Sequence, residues 1–360
     1  MDFTTTEAQR DVAALTHDIV SRFSTNDVQR QLDSQPGDID RALLHTLATS
    51  GILAAATPES VGGDGYGILE AASIAVELGR GLAAVPYVAG WTAASAIARF
   101  GTPAQQAEWA APVVLGRSIV AVALDDEHGD PLTRAERSDP GWRVTGTKTC
   151  VDSAPVADGF LVTTTDGVVL VRPSDPGVTV TPQHGVDNRS LGLLELSSVS
   201  VDSSRRIADP DAPQWIHLHE TLLTCAYQVG VLEASLTVTA EYAREREQFG
   251  KPIGSFQAVA QRLADAYIDV KGARLTMWKA AWALSAGHDA DDDVAVAKFW
   301  AAEAGHRVAH TLVHVHGGVG LDRDHPVHRY FLAAKHAEFH GGAATTQLRR
   351  LGAALAAEPA

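Results

Sequence analysis

Two cysteines, Cys150 and Cys225, are all that the 360 residues hold, so the chain has neither a disulfide framework nor a cysteine-built zinc site. Positive charge is scarce as well: 29 Lys and Arg stand against 44 Asp and Glu, a net charge of -15. That balance excludes a large phosphate-backbone interface, because nucleic-acid binders need a basic footprint. It leaves room for a local basic pocket around a phosphorylated cofactor. No run approaches the ~18 continuous apolar residues that span a bilayer. The opening MDFTTTEAQR lacks the basic and apolar regions of a secretory signal, which makes the cytoplasm the expected location.

Several motifs are missing too. No G-x-G-x-x-G follows a predicted strand, and GGDGYG has the wrong spacing for a dinucleotide fold. Neither a Walker loop nor a G-x-S-x-G elbow occurs. His219-Glu220 begins like a zinc-protease helix, but position 223 is Leu.

What is present falls into three zones. Residues 1–116 carry helical periodicity, as in Leu43, Leu44, Leu47 and Ile52, broken at PESVGGDGYG (58–67). Residues 117–209 hold short β-branched runs (SIVAVAL, WRVTGTK, GFLVTT, GVVLVRP, GVTVTP, LELSSVSV) that predict a small antiparallel β-barrel or sandwich. Residues 210–360 return to longer helices. One runs from near Pro213 to the break at Phe249–Pro252; a second, with Ser255 as its expected cap, ends at Ala286-Gly287. A third starts in the acidic turn Asp289–Asp293 and stops at His316-Gly317-Gly318, and a fourth follows Pro326 to about Leu355. Four long helices with short connections predict an up-and-down bundle. The predicted fold class is mainly α with a central β domain.

Three constellations could carry chemistry. His306, His310 and His314 recur at i, i+4 and i+8, with Glu303 one turn before. Ligands strung along one straight helix cannot all converge on one ion, so no metal is expected; the alternative is a polar face against a partner or an anionic ligand. The segment AREREQFGKPIGSFQAVAQRLAD (243–265) places Arg246 and Phe249 at a helix tip, a cation and an aromatic face suited to a phosphate and a flat ring. The segment HVHGGVGLDRDHPVHRY (314–330) leaves backbone amides at Gly317 and Gly318 where a pyrophosphate can approach closely.

With these segments in place, the chain resembles the acyl-CoA dehydrogenase family over essentially its full length. The order of helical domain, β domain and four-helix bundle is the family's. The R-x-x-F-G-x-x-I-x-x-F-Q run and the later G-G-x-G turn match in kind and spacing. The resemblance implies FAD as cofactor, with Arg246, Gln248, Phe249, His314, Gly317 and Gly318 holding its adenine and pyrophosphate end. His314 stands where the family commonly has Gln. That FAD is bound mainly by a neighbouring subunit. PESVGGDGYG is similar to the family's P-E-x-x-G-G turn and needs no ligand to explain it.

The family removes an α-proton from an acyl-CoA thioester while the β-hydrogen leaves as hydride to FAD. Its usual base is the Glu of a Y-E-G-T motif, but HGGAATTQLRR (340–350) puts His340 at the Tyr and Gly341 at the Glu. A branch similar to isovaleryl- and long-chain-type enzymes carries the base earlier, and YQVGVLEA (227–234) aligned with it puts Glu220 at that position. Glu220 is therefore the candidate catalytic residue, against the plainer reading that it favours the first turn of its helix. The Arg that normally follows the alternative base is Thr221.

Around the flavin ring the departures are larger. In place of T-E-P-x-A-G-S-D stands Leu124-Asp125-Asp126-Glu127-His128-Gly129-Asp130, and in place of K-x-W-I-T-N stands Lys148-Thr149-Cys150-Val151-Asp152. Cys150 replaces the ring-stacking aromatic, and Asp152 replaces a Thr. A half-site for a neighbour's flavin beside an eroded ring site is similar to the shorter β-type subunit of actinobacterial steroid side-chain (cholesterol-catabolic) dehydrogenases, which form α2β2 heterotetramers. The resemblance implies α,β-dehydrogenation of a bulky or branched acyl-CoA, a steroid side-chain thioester, with a second dehydrogenase subunit as partner and electron-transfer flavoprotein as acceptor. Two alternatives stay open: a self-sufficient homotetramer using Glu220, and a non-catalytic subunit that completes a partner's FAD site.

Overall fold

The computed structural model describes residues 4–35, 37–127, 132–187 and 189–357. Helices come first: α1 Glu7–Phe23, α2 Asn26–Asp33, α3 Arg41–Thr49, α4 Ile52–Ala55, α5 Ile68–Arg80, α6 Tyr87–Phe100, α7 Pro103–Gln105 and α8 Ala111–Val114. Strands follow: β1 Val120–Ala123, β2 Arg134–Ser138, β3 Gly141–Asp152, β4 Gly159–Thr164, β5 Gly167–Val171, β6 Val178–His184, β7 Ser190–Val201 and β8 Arg206–Ile207. The remainder comprises α9 Ala212–Glu245, the two-residue strands β9 Glu247–Gln248 and β10 Lys251–Pro252, α10 Gln257–Ser285, α11 Asp291–His316, α12 Val327–Phe339 and α13 Ala344–Ala357. The compact units interleave along the chain. One takes Met1–Asn26, Ala72–Ala83 and Thr221–Ala360; the other takes Asp27–Ala71 and Ala84–Glu220.

In the second unit the strands form two four-stranded sheets, β1-β4-β5-β8 and β2-β3-β7-β6. The pairing is not wholly antiparallel as expected, because β1 runs parallel to β4. Phe160, Val162, Val169 and Val171 of the first sheet share a core with Val144, Leu194, Leu196 and Val201 of the second. The first sheet's other face, with Leu161, Val168 and Leu170, packs on Ala93, Ile97, Trp109 and Val113 of the helical layer. Burial on both faces explains why β5 reads as the unbroken apolar run Val168-Val169-Leu170-Val171 instead of an alternating one. The PESVGGDGYG turn is structural. Gly63 passes so close to the Thr57 carbonyl that a Cβ would collide with it.

In the first unit α5 and α9 meet through reciprocal glycines. A Cβ on Gly79 would strike the Tyr227 carbonyl, and one on Gly230 would strike that of Val76. The α9 helix is long and apolar enough to cross a membrane, but 78% of its apolar window is buried inside the protein, as in a core helix. The expected fourth bundle helix is two helices, α12 and α13, because Gly341 and Gly342 take φ of +69° and +94° between them. Ser255 does not cap α10. Its hydroxyl donates to the Pro252 carbonyl, and Phe256 holds the cap position without a side-chain bond.

Candidate functional site

The end of the first unit that carries the expected phosphate-binding residues is built on strained backbone. Gln248 pairs with Lys251 in β9–β10, leaving Phe249 and Gly250 as a two-residue hairpin turn. Their φ values of +55° and +75° match the twist such a turn requires, and Phe249 adopts a conformation that glycine or asparagine takes more easily. Phe249 is 93% exposed and meets Phe256 edge-on at 6.1 Å between ring centroids. Lys251 Nζ lies 4.6 Å from the Phe256 centroid. Arg246 is exposed at the base of the hairpin, its amide bonded to the Tyr242 carbonyl.

Gly317 ends α11 with φ +62° and ψ -136°, a region open to glycine, and nothing lies within 4 Å of where its Cβ would stand. Its amide is not bare, as the sequence suggested, but donates to the Val313 carbonyl and closes the helix. Gly318 is equally open. Tyr242 and His316 join the two segments, their rings stacked at 4.3 Å and 23°. Sequence reasoning passed over both. Their signal was spacing alone, Tyr242 one turn before Arg246 and His316 directly before the glycine pair. His314 is exposed, and no hydrogen bond or ring contact joins it to Arg246 or Phe249 among the described residues. His306 and His310 sit 4.5 Å apart, with His306 3.2 Å from Lys335 and 3.4 Å from Glu338. Among the described residues no group of three or more His, Cys, Asp and Glu is arranged to hold a metal ion.

The β region of the second unit looks different. Lys148, 1% exposed, donates to the Leu124 carbonyl at 2.8 Å and pairs with Asp126 at 3.0 Å. Burial lowers the Lys148 pKa, and Asp126 and Asp125 pull it back up. Asp126 also accepts from the Thr133 amide and hydroxyl. Cys150 is exposed with φ +51°, and the Gln183 amide fastens the strand there. Its Oε1 accepts from the Cys150 amide at 2.8 Å, and its Nε2 donates to the Thr149 hydroxyl at 3.1 Å. Asp152 is half-buried. His128, Gly129 and Asp130 lie outside the described residues.

Glu220, near the start of α9, is 5% exposed. Burial pushes its carboxyl up to about 8; the Thr92 hydroxyl pulls the other way, and Asp152 and Asp125 add to the rise. Neither Glu220 Oε2 nor Thr92 Oγ1 has a hydrogen-bond partner among the described residues, so Thr92 acts as a nearby dipole and not as a formed bond. The preceding His219 stacks on Trp215 at 3.7 Å, and its Nδ1 lies 2.7 Å from the Trp215 carbonyl oxygen. Burial lowers His219 to about 4, against the Trp215 carbonyl, which raises it; Arg99 lowers it further. In the first unit Thr221 is buried with an unpartnered hydroxyl, and Gly341 has only Thr221 Oγ1 and Lys298 Cε within 4 Å of its would-be Cβ. Lys298 is fully buried, lowered to about 8 by burial, and its ammonium donates to the carbonyls of Ala337 and Glu338. A buried carboxyl that holds its proton near neutrality can act as a general acid or base.

Residues 214–356 match the family model of the acyl-CoA dehydrogenase C-terminal domain, and residues 6–117 match that of the N-terminal domain. The chain belongs to the acyl-CoA dehydrogenase family. Acyl-CoA dehydrogenase FadE27 of Mycobacterium tuberculosis is 53% identical over 373 residues, with both chains covered completely. A chain of the ChsE4–ChsE5 complex from Mycobacterium tuberculosis superposes with a TM-score of 0.97 at 54% identity, again over the whole of both. A chain of the Tcur3481–Tcur3483 steroid ACAD G363A variant gives 0.92 at 36% identity, covering 97% of this chain and 98% of that one. The chain is thus an acyl-CoA dehydrogenase, an oxidoreductase of the CH–CH class, close in sequence to steroid dehydrogenase subunits.

Members of this family bind FAD, and the residues here fit its two ends unequally. The exposed hairpin with Arg246 and Phe249, and the open backbone at Gly317 and Gly318, suit a phosphate and an adenine. The β region does not suit an isoalloxazine ring. An aromatic is lacking at Cys150, the Gln183 side chain is bonded across Thr149 and Cys150, and Asp125 and Asp152 set negative charge where reduction would add more.

Proposed function

We propose that this chain is the non-identical partner subunit of a heteromeric, FAD-dependent acyl-CoA dehydrogenase acting on a steroid side-chain CoA thioester. The observation that carries the reading is the contrast between an open phosphate-binding end and a β region closed on its own polar groups. Whole-length likeness to a chain of the ChsE4–ChsE5 complex supports it. The steroid substrate is inferred from the Tcur3481–Tcur3483 steroid enzyme. In the overall reaction the α-proton passes to a base and the β-hydrogen leaves with its electron pair, giving an α,β-unsaturated thioester. FAD, when bound, supplies the hydride acceptor, and electron-transfer flavoprotein in the cytoplasm takes the two electrons onward.

On this reading Arg246, Gln248, Phe249, His314, Gly317 and Gly318 contribute to binding the adenine and pyrophosphate of a flavin whose ring lies on the partner. The decisive experiment is a visible spectrum. The chain alone should be colourless and turn yellow when co-purified with its partner. Flavin at one equivalent in the chain alone would overturn the reading. Sedimentation of a stable 38.0 kDa monomer with the partner present would overturn it too.

A second reading has its own observation. Glu220 is buried, its Oε2 has no hydrogen-bond partner among the described residues, and it is raised to about 8, as a base in a dry site should be. It makes the chain a self-sufficient homotetramer, and Glu220→Gln would then lower turnover ~10²–10⁴-fold.

A further inference from the structure

Two backbone turns of the first unit carry the expected nucleotide contacts, and neither tip has packing of its own. Nothing lies within 4 Å of where a Cβ would stand on Gly250, at the hairpin tip, or on Gly317 and Gly318. Each turn is fixed at its base instead. Arg246 is pinned twice through its backbone: its amide donates to the Tyr242 carbonyl and its carbonyl accepts from the Ile253 amide, both at 2.8 Å. The chain leaving β10 then presses on α9 at Gly254, where a Cβ would stand 3.0 Å from the Ala243 carbonyl oxygen. At the base of the other turn His316 is 5% exposed, and its Nδ1 lies 2.8 Å from the Leu312 carbonyl oxygen, which fixes the plane of the ring.

Tyr242 belongs to both bases. Its carbonyl holds Arg246, and its ring lies on His316 with centroids 4.3 Å apart and planes 23° from parallel. Among the described residues no other ring contact or hydrogen bond joins 242–256 to 311–321. We propose, on the reading that these two turns hold an adenine and a pyrophosphate, that Tyr242 is a positioning residue: its stack on His316 sets the distance between the Arg246 hairpin and the Gly317–Gly318 turn, and with it the fit of a nucleoside diphosphate across them.

A flat ring on a flat ring fixes both separation and orientation, which an aliphatic side chain of similar volume does not. Binding groups tolerate little drift and have to be held within about 0.5 Å by packed neighbours. Burial lowers the His316 pKa; the Leu312 carbonyl raises it, and His325 lowers it further. The stack therefore joins two uncharged rings near neutral pH. Tyr242 is only half-buried, at the end of α9 that turns into the hairpin, a poor place for a residue that merely fills the core.

ADP carries the adenine and the pyrophosphate without the flavin ring, and its binding to the full chain is read by titration calorimetry, beside the melting temperature of each unliganded variant. The native chain should bind ADP, and Arg246→Ala should weaken it tenfold or more. Tyr242→Leu and His316→Leu should each weaken it roughly threefold to tenfold, the size of one stacked ring pair. The double variant should bind no more weakly than the weaker single, because the two changes remove the same contact. Tyr242→Phe, which keeps a ring, should restore binding to within about twofold of native. A residue that only supports the fold would lower the melting temperature and leave ADP affinity alone, so that pattern in both Leu variants would overturn the proposal. Losses that multiply in the double variant, or Tyr242→Phe binding no better than Tyr242→Leu, would overturn it as well. ADP failing to bind the native chain at millimolar concentration, or binding Arg246→Ala unchanged, would overturn the half-site reading and the proposal with it.

Discussion

The hairpin end of the first unit and the β region of the second treat their polar and aromatic groups in opposite ways. At the hairpin, Phe249 is held at positive φ and left 93% exposed, a costly place for a large aromatic side chain. In the β region polar groups are bonded within the chain, Lys148 and Thr133 to Asp126, and Gln183 to Thr149 and Cys150. Strain kept at an exposed position marks a surface that something else completes, whereas a saturated polar network leaves no donor or acceptor free for a ring.

Breaking the network tests the closed side most severely. Lys148→Met should destabilise the chain by about 3 kcal/mol, because it leaves Asp126 partly buried without its cation. Chemical denaturation measures this, and a loss near zero would mean the pair is not structural. On the open side, Arg246→Ala should weaken flavin retention in the assembled enzyme by about 1.5–3 kcal/mol, which is tenfold or more in dissociation. Cys150→Ala, at an exposed position, should change it less than about threefold. Equal flavin loss on both sides would erase the contrast.

Glu220 supplies an effect of intermediate size, on the order of 2 kcal/mol between pH 6.5 and 8. Its folded value of about 8 exceeds the ordinary 4.5, so the unfolded chain ionises first and stability falls as pH rises through that interval. His219, lowered from 6.5 to about 4, acts below this interval, and Lys298, lowered from 10.5 to about 8, begins to act with the opposite sign at its upper end. Glu220→Gln should flatten the slope seen in thermal melts at these pH values; an unchanged slope would show that the carboxyl titrates normally. On the heteromeric reading the same variant leaves turnover of the complex nearly unchanged. The smallest effect belongs to Phe249. Phe249→Asn should stabilise the chain by roughly 0.5–1 kcal/mol by relieving positive φ, while weakening flavin retention.

Much of this was legible in the residues. The change from helical periodicity to short β-branched runs marked the β zone, and the R-x-x-F-G and G-G-x-G segments marked the bundle end. Local signals did less well where two choices were locally equal. Ser255 has the chemistry of an N-cap, but its hydroxyl found the Pro252 carbonyl first. Gly341-Gly342 reads as a mild irregularity until its two positive φ angles separate α12 from α13.

The sequence by itself determined the order of the elements, the acidic balance and the family, because each is a property of residue type and spacing. Tertiary structure alone decided which polar groups are paired. The Lys148–Asp126 contact spans 22 residues and Tyr242–His316 spans 74, separations no local pattern can encode. It also decided that Glu220 sits dry enough to hold a proton near neutral pH. Desolvation depends on everything packed around a group, and that is fixed only when the chain has folded.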